Sequence, residues 1–243
     1  MKMIIYTYTG NYAPALGVDL IPMGIEGVYT GSADDTINII KQDKSIVILL
    51  TENVNAEFIT SVKKENPEIN IFLIITKGVK SSDIIALKKY GIVALINYSD
   101  NTSLMAEEIV KNIIMNNIRS NDKRFHIRVQ PKEHEDLKVA IFIRNLQKFV
   151  RGKVIDISAG GLAIKLDSSL DASLLMPKTV YDPVIVSIMG TEVKTLASMI
   201  AKRGDIAGFK FDNVEQKDMK KIATYIHNRI TENTKNLMNE ALS

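Results

Sequence analysis

The chain has no cysteine among its 243 residues. That absence removes disulfides, thiolate zinc sites, iron–sulfur clusters and cysteine nucleophiles together, and it fits a reducing compartment. Three histidines are present, His126, His134 and His227, without metal-ligand spacing, so no metal site is expected. No apolar run approaches the length of a membrane span, and the opening MKMIIYTYTGNYAP lacks a cleavable signal pattern, so the expected location is the cytoplasm. The motifs G-x-S-x-G and H-E-x-x-H, Walker loops and dinucleotide fingerprints are all missing, and no catalytic residue is expected. Arginine is missing from the first 118 residues, and all seven arginines follow them. Residues 1–110 hold 9 lysines against 13 acids, whereas residues 111–153 hold 11 basic residues against 4 acids. The later segment suits an anion.

What remains is 46% hydrophobic and 24% charged, the composition of a folded globular chain long enough for two domains. In the first half, short β-branched runs at 3–8, 45–50, 69–75 and 92–96 are nearly continuous, as strands of a parallel sheet buried on both faces should be. Helical patterns at 34–42, 55–65 and 81–91 separate them, opening on Asp34, Asn55 and Ser81 as N-caps, the third stopping at Gly91. A closing amphipathic helix at 102–118 carries Leu104, Ile109, Ile113 and Ile114 on its apolar side. This alternation predicts a doubly wound α/β domain over 1–118.

After SNDKRF the period changes to alternation. Runs at 137–143, 148–157, 161–166, 183–189, 192–200 and 208–211 predict a six-stranded antiparallel barrel or sandwich, followed by one helix over 215–230 with Met219, Ile222, Ala223, Ile226 and Ile230 on one face. Asn116, Asn117, Ser120, Asn121 and Asp122 mark the boundary, so the second domain is expected over 119–243.

Just past that boundary, DKRFHIR places Arg124 and Arg128 in an R-x-x-x-R arrangement. About thirty residues later VIDISAGGLAI places Asp156, Ser158 and Gly161 in D-x-S-x-x-G. Taken alone, the second motif reads as a hairpin turn. The two in this order, with the late strand GFKF and a terminal helix, resemble the PilZ domain, a bacterial receptor module for cyclic di-GMP, over roughly 120–230. The residue types suit that ligand. Guanidinium forks onto phosphate, pairs with guanine O6 and N7, or stacks on a purine. A carboxylate accepts from guanine N1 and N2 hydrogens together, a serine hydroxyl adapts, and glycine leaves room beside the backbone. The resemblance implies that Arg124 and Arg128 lie on a linker arm, about 119–128, that wraps the ligand, while Asp156, Ser158 and Gly161 present a barrel loop to it. Lys123 and Gly160 are further candidates for ligand contact. It also implies control of motility, adhesion or biofilm formation, and no cofactor beyond the ligand.

The front domain resembles a response-regulator receiver in its order of elements, with the chemistry gone. A receiver needs an acid pair after its first strand, where this chain has Thr7, Tyr8, Thr9 and Gly10, and an aspartate ending its third, where it has Leu50, Thr51 and Glu52. Thr76 matches the receiver's hydroxyl position, but INYS lacks the lysine. GIEGVYT followed by SIVILLTE is also similar to a small α/β component of V-type ATPases, over about half the domain. The expected role of this domain is contact with a partner protein. Two alternatives stay open: a degenerate PilZ adaptor, and a nucleic-acid-binding response regulator. No helix-turn-helix pattern or basic recognition helix supports the latter.

Overall fold

In the computed structural model the described residues are 1–8, 10–53, 55–76, 89–119 and 125–242, with 237–242 described by backbone alone. The chain divides into two compact units, Met1–Phe125 and His126–Ser243.

The first unit is a five-stranded parallel sheet of β1 (Lys2–Tyr6), β2 (Glu26–Thr30), β3 (Ile46–Thr51), β4 (Asn70–Ile75) and β5 (Ile92–Asn97), ordered β2-β1-β3-β4-β5. Consecutive residues of the central strands, Met3 to Ile5 and Ile48 to Leu50, are wholly buried. Both faces of the sheet are covered, which is why these runs do not alternate. Among the described residues the α-helices are α1 (Ala13–Leu20), α2 (Ala33–Gln42), α3 (Ala56–Glu65) and α4 (Thr102–Met115).

Two of these elements, α1 and β2, lie outside the sequence expectation, and glycine explains both. A side chain at Gly27 in β2 would meet Ile5 Cδ1 at 3.1 Å and Gly17 Cα of α1 at 3.4 Å. The glycines that blur the periodicity are those that let helix and strand approach. Pro14 falls in the first turn of α1, where no intrahelical N–H is needed.

Helix α2 is capped by Ser32, whose hydroxyl accepts from the Asp35 N–H at 3.1 Å, and not by Asp34. Asn55 caps α3, accepting from the Glu57 and Phe58 amides at 2.8 and 3.3 Å. Helix α4 ends at Met115 rather than 118, and buries Met105, Ala106, Ile109 and Ile113. Leu104 and Ile114, expected on its apolar side, are exposed, because the stripe follows 105, 109 and 113. Of the helix expected at 81–91, residues 81–88 and the cap Ser81 lie outside the described residues, as do Thr9 and the 77–80 segment; Gly91 takes a left-handed φ of 78°.

The second unit is a closed barrel, β10-β11-β8-β7-β6-β9. Its strands are β6 (Lys138–Ile143), β7 (Lys148–Ser158), β8 (Gly161–Leu166), β9 (Val180–Ile188), β10 (Thr191–Arg203) and β11 (Ile206–Val214), with a short α5 (Ser169–Leu174). Closure removes the sheet edges. Inward residues such as Ile141, Val150, Ile164, Val186 and Phe209 form the core. Strand β9 begins before Pro183 because the proline falls at a register shift against β10, between Thr195 and Ala197, where no ladder bond is lost.

The last helix, α6 (Gln216–Leu242), buries Ile222, Ala223, Ile226 and Ile230 and continues past the expected end at 230. The Thr and Asn residues of TENTKN favour helix poorly, which hid the extension. No described helix is long and apolar enough to cross a membrane.

Candidate functional site

The D-x-S-x-x-G stretch is the β7–β8 hairpin. Ser158 pairs with Gly161, and only Ala159 and Gly160 stand between them. A register shift between Val154 and Asp156 alters the alternation of β7, so that Ile157 is wholly buried and Asp156 is half-buried. Cross-strand register then defines two rows around the barrel. The first runs Asp156, Ala163, Gly208, Ala201; the second runs Ser158, Gly161, Lys210, Ser198. The first row is a carboxylate followed by three small residues, with the exposed Ile200 beside Gly208. That strip carries little side-chain bulk and runs from Asp156 at one end towards Ile200 at the other. Lys210 stands exposed in the second row, 3.9 Å from Asp212, which in turn bonds the Ser198 hydroxyl. Ala163, Gly208, Ile200 and Lys210 went unnoticed in the sequence because only the register makes them neighbours of Asp156.

The arm reaches the same place. Val129 forms an antiparallel bridge with Ile157, each amide donating to the other's carbonyl at 3.0 Å. This pairing sets Arg128 opposite Ser158 and Gln130 opposite Asp156. Arg128 is exposed, and neither it nor Asp156 has an ion pair with another described residue. Arg124 and Lys123 lie outside the described residues. Of the expected set the structure therefore brings together Arg128, Asp156, Ser158, Gly160 and Gly161.

The roles of the small residues differ from the sequence expectation. Ser158 is buried, and its hydroxyl donates to the Gly161 carbonyl at 3.1 Å, closing the turn. What it keeps for a ligand is the acceptor capacity of the oxygen. At Gly161 the space was expected to serve a ligand, but a Cβ there would fall on the Phe209 carbonyl and lie 3.1 Å from Lys210 Cα. The neighbouring strand occupies that room. At Gly160 a Cβ would fall on the His126 ring, and the Gly160 carbonyl accepts from the Phe211 amide at 3.0 Å. Gly160 is thus the seat of the imidazole. Burial holds the His126 imidazole below the ordinary histidine value.

A prediction follows from that seat. Gly160→Ala displaces the His126 ring into water, so its imidazole pKa rises back towards the ordinary value, at a stability cost of about 1 to 2 kcal/mol. Titration of the imidazole by NMR reads this directly, and an unchanged titration would show that the ring is seated elsewhere.

In the first unit, the ends of β1 and β3 bring one carboxylate, Glu52, among hydroxyls and tyrosine rings. The Glu52 carboxylate accepts from the buried Thr7 hydroxyl and, at 2.7 Å, from the Tyr8 amide. Tyr6 packs against Tyr8 at 5.2 Å and Tyr12 against Tyr98 at 5.5 Å between ring centroids. Burial pushes the Tyr6 and Tyr12 phenols up to about 12. Among the described residues no group of three His, Asp or Glu side chains is placed to hold a metal ion.

Several solved structures resemble one half of this chain or the other. The chain is similar to the PilZ domain with c-di-GMP of YcgR from Escherichia coli, at 16% identity and a TM-score of 0.40, over 48% of this chain and 98% of that one. It is similar to the MrkH–c-di-GMP complex of K. pneumonia at 15% identity and a TM-score of 0.41, over 48% of this chain and 57% of that one, so it spans little more than half of MrkH. It is likewise similar to a response regulator receiver domain protein from Clostridium thermocellum, at 15% identity and a TM-score of 0.40, over 48% of this chain and 97% of that one. No curated protein matches the sequence. The family model of the PilZ domain matches residues 122–228, from the arm through the barrel into α6. The C-terminal half of this chain therefore carries a PilZ domain.

Proposed function

We propose that this chain is a receptor for cyclic di-GMP that acts by binding and not by turnover. The observation that carries the reading is the bridge of Val129 to Ile157, which puts Arg128 opposite Ser158 on the strand that also carries Asp156, next to Ala163 and Gly208, within the matched family domain. Asp156 accepts from N1 and N2 of one guanine, whose face lies on the small residues. Arg128, with Arg124, supplies guanidinium to the phosphates or to the second base. Lys210 adds a point charge on the far side of the hairpin.

Isothermal titration of the full chain tests this. Cyclic di-GMP is expected to bind, and cyclic di-AMP far more weakly, because adenine lacks the donor pair that Asp156 reads. Equal binding of both, or of neither, rejects the reading; binding of duplex DNA instead points to the nucleic-acid alternative.

The output is proposed to pass to the N-terminal domain, a protein-contact module, through the arm. Arg128 follows the boundary between the units by only a few residues, so ligand that holds Arg128 bears directly on the connection. Ligand shifts such an equilibrium only by its differential affinity for the ordered arm. Saturating cyclic di-GMP should therefore slow amide exchange over residues 125–130; unchanged exchange there would leave a binding site without this output.

A further inference from the structure

Helix α6 closes the barrel with isoleucines and an alanine, yet it also buries a charge. Arg229 is only 8% exposed. A buried guanidinium carries a desolvation cost that an apolar side chain of similar size would avoid, so capping the barrel does not explain it. Its hydrogen bonds do. Nε and Nη2 donate to the Gln130 carbonyl at 3.3 and 3.4 Å, and Nη1 donates to Glu232 at 2.7 Å. Glu135 lies 3.8 Å away and is itself held by the Tyr225 hydroxyl at 2.7 Å and the Lys132 amide at 2.9 Å. Lys132 in turn pairs with Glu232 at 2.9 Å.

The bonds to the Gln130 carbonyl join α6 to the residue that follows Val129, at the end of the arm, and those to Glu232 and Glu135 hold the guanidinium and tie α6 to residues 132–135. Gln130 comes directly after Val129, whose two backbone groups are taken by Ile157 of β7. The arm is thus clasped from two sides, by β7 at residue 129 and by α6 at residue 130. Arg128 precedes the clasp by one position, and a slip of one residue would turn its side chain to the opposite face.

We infer that Arg229 is a positioning residue for the ligand site: through the Gln130 carbonyl it fixes the register of the arm that sets Arg128 opposite Ser158. The inference rests on the receptor reading for its ligand consequence, and on geometry alone for the clasp. Arg229 touches no ligand. Its effect on binding runs through Arg128.

The experiment uses the full chain and four variants: Arg229→Met, Arg128→Ala, the double variant, and Ile226→Val as a mild destabiliser of the same helix. Without ligand, Arg229→Met is expected to speed amide exchange at Val129 roughly tenfold or more beyond any change in the β6 and β9 amides. Ile226→Val should shift arm and barrel amides alike. With cyclic di-GMP, Arg229→Met is expected to weaken affinity about tenfold, but to cost nothing further once Arg128 is alanine, the signature of coupled residues. A merely structural Arg229 gives the opposite pattern: equal exchange changes in arm and barrel, and affinity losses that multiply in the double variant. Either result overturns the inference. If the wild type binds no cyclic di-GMP, the receptor reading falls and the ligand role of Arg229 with it. A Val129 amide no faster than the barrel amides in Arg229→Met overturns the clasp whether or not the wild type binds.

Discussion

Alanine in place of Arg128 is expected to lower the affinity for cyclic di-GMP roughly tenfold to a hundredfold, because a charge-assisted hydrogen bond is worth about 1.5 to 3 kcal/mol and each 1.4 kcal/mol is tenfold. Stability is spared. Arg128 is exposed and has no ion pair with a described residue, so its removal strands no buried charge and should cost less than about 0.5 kcal/mol. Asp156→Ala is expected to lose affinity on the same scale by a different route, leaving the guanine N1 and N2 hydrogens without an acceptor. The two are separable with a second nucleotide. Asp156→Ala should narrow the preference for cyclic di-GMP over cyclic di-AMP, whereas Arg128→Ala should weaken both without changing the ratio when it acts on phosphate. Titration calorimetry with both nucleotides, beside thermal melts, reads all of this. Undiminished affinity in both variants would place the site elsewhere.

Gly161→Val is expected to damage the barrel itself, and by more than any surface change near the site. The first side-chain carbon would enter the Phe209 carbonyl, and backbone lies on that side, with Lys210 Cα at 3.1 Å. A flexible side chain could rotate away; a strand cannot. Strands β8 and β11 must part where Gly161 pairs with Lys210 and Leu162 with Phe209, and this junction is one of the six that close the barrel. Overpacking that moves backbone costs about 1 to 3 kcal/mol, and each ladder bond lost adds about 1 kcal/mol. For a domain of this size, a loss of about 3 kcal/mol lowers the melting midpoint by roughly 10 to 20 °C. A melt within a few degrees of wild type would show that β11 yields at Phe209. Ligand affinity in Gly161→Val is a secondary readout, since a distorted hairpin carries Asp156 with it.

Local pattern carried much of this protein. Continuous β-branched runs in the first half and alternating ones in the second are direct consequences of burial on two faces or one, so both sheet types follow from periodicity. Asn55 as a cap and the apolar stripe of α6 through Ile230 are likewise short-range matters, settled within one helical turn. Arg124, Arg128, Asp156, Ser158 and Gly161 could be named as candidates from the sequence because the two motifs, in that order, resemble the PilZ pattern.

What spacing could not convey is who stands beside whom across strands. Gly17 and Gly27 obscured α1 and β2 because their purpose is an approach between elements ten residues apart. Gly161 has the same sequence signature whether it makes room for a ligand or for Phe209, and only the register of β8 against β11 separates the two. Ala163, Gly208 and Lys210 become neighbours of the motif through pairings that span up to about fifty residues of chain, and Arg229 meets Gln130 across ninety-nine. Periodicity reports which face of an element is buried. Barrel closure and the seating of α6 decide what that face meets, because they join residues whose separation in sequence leaves no local trace.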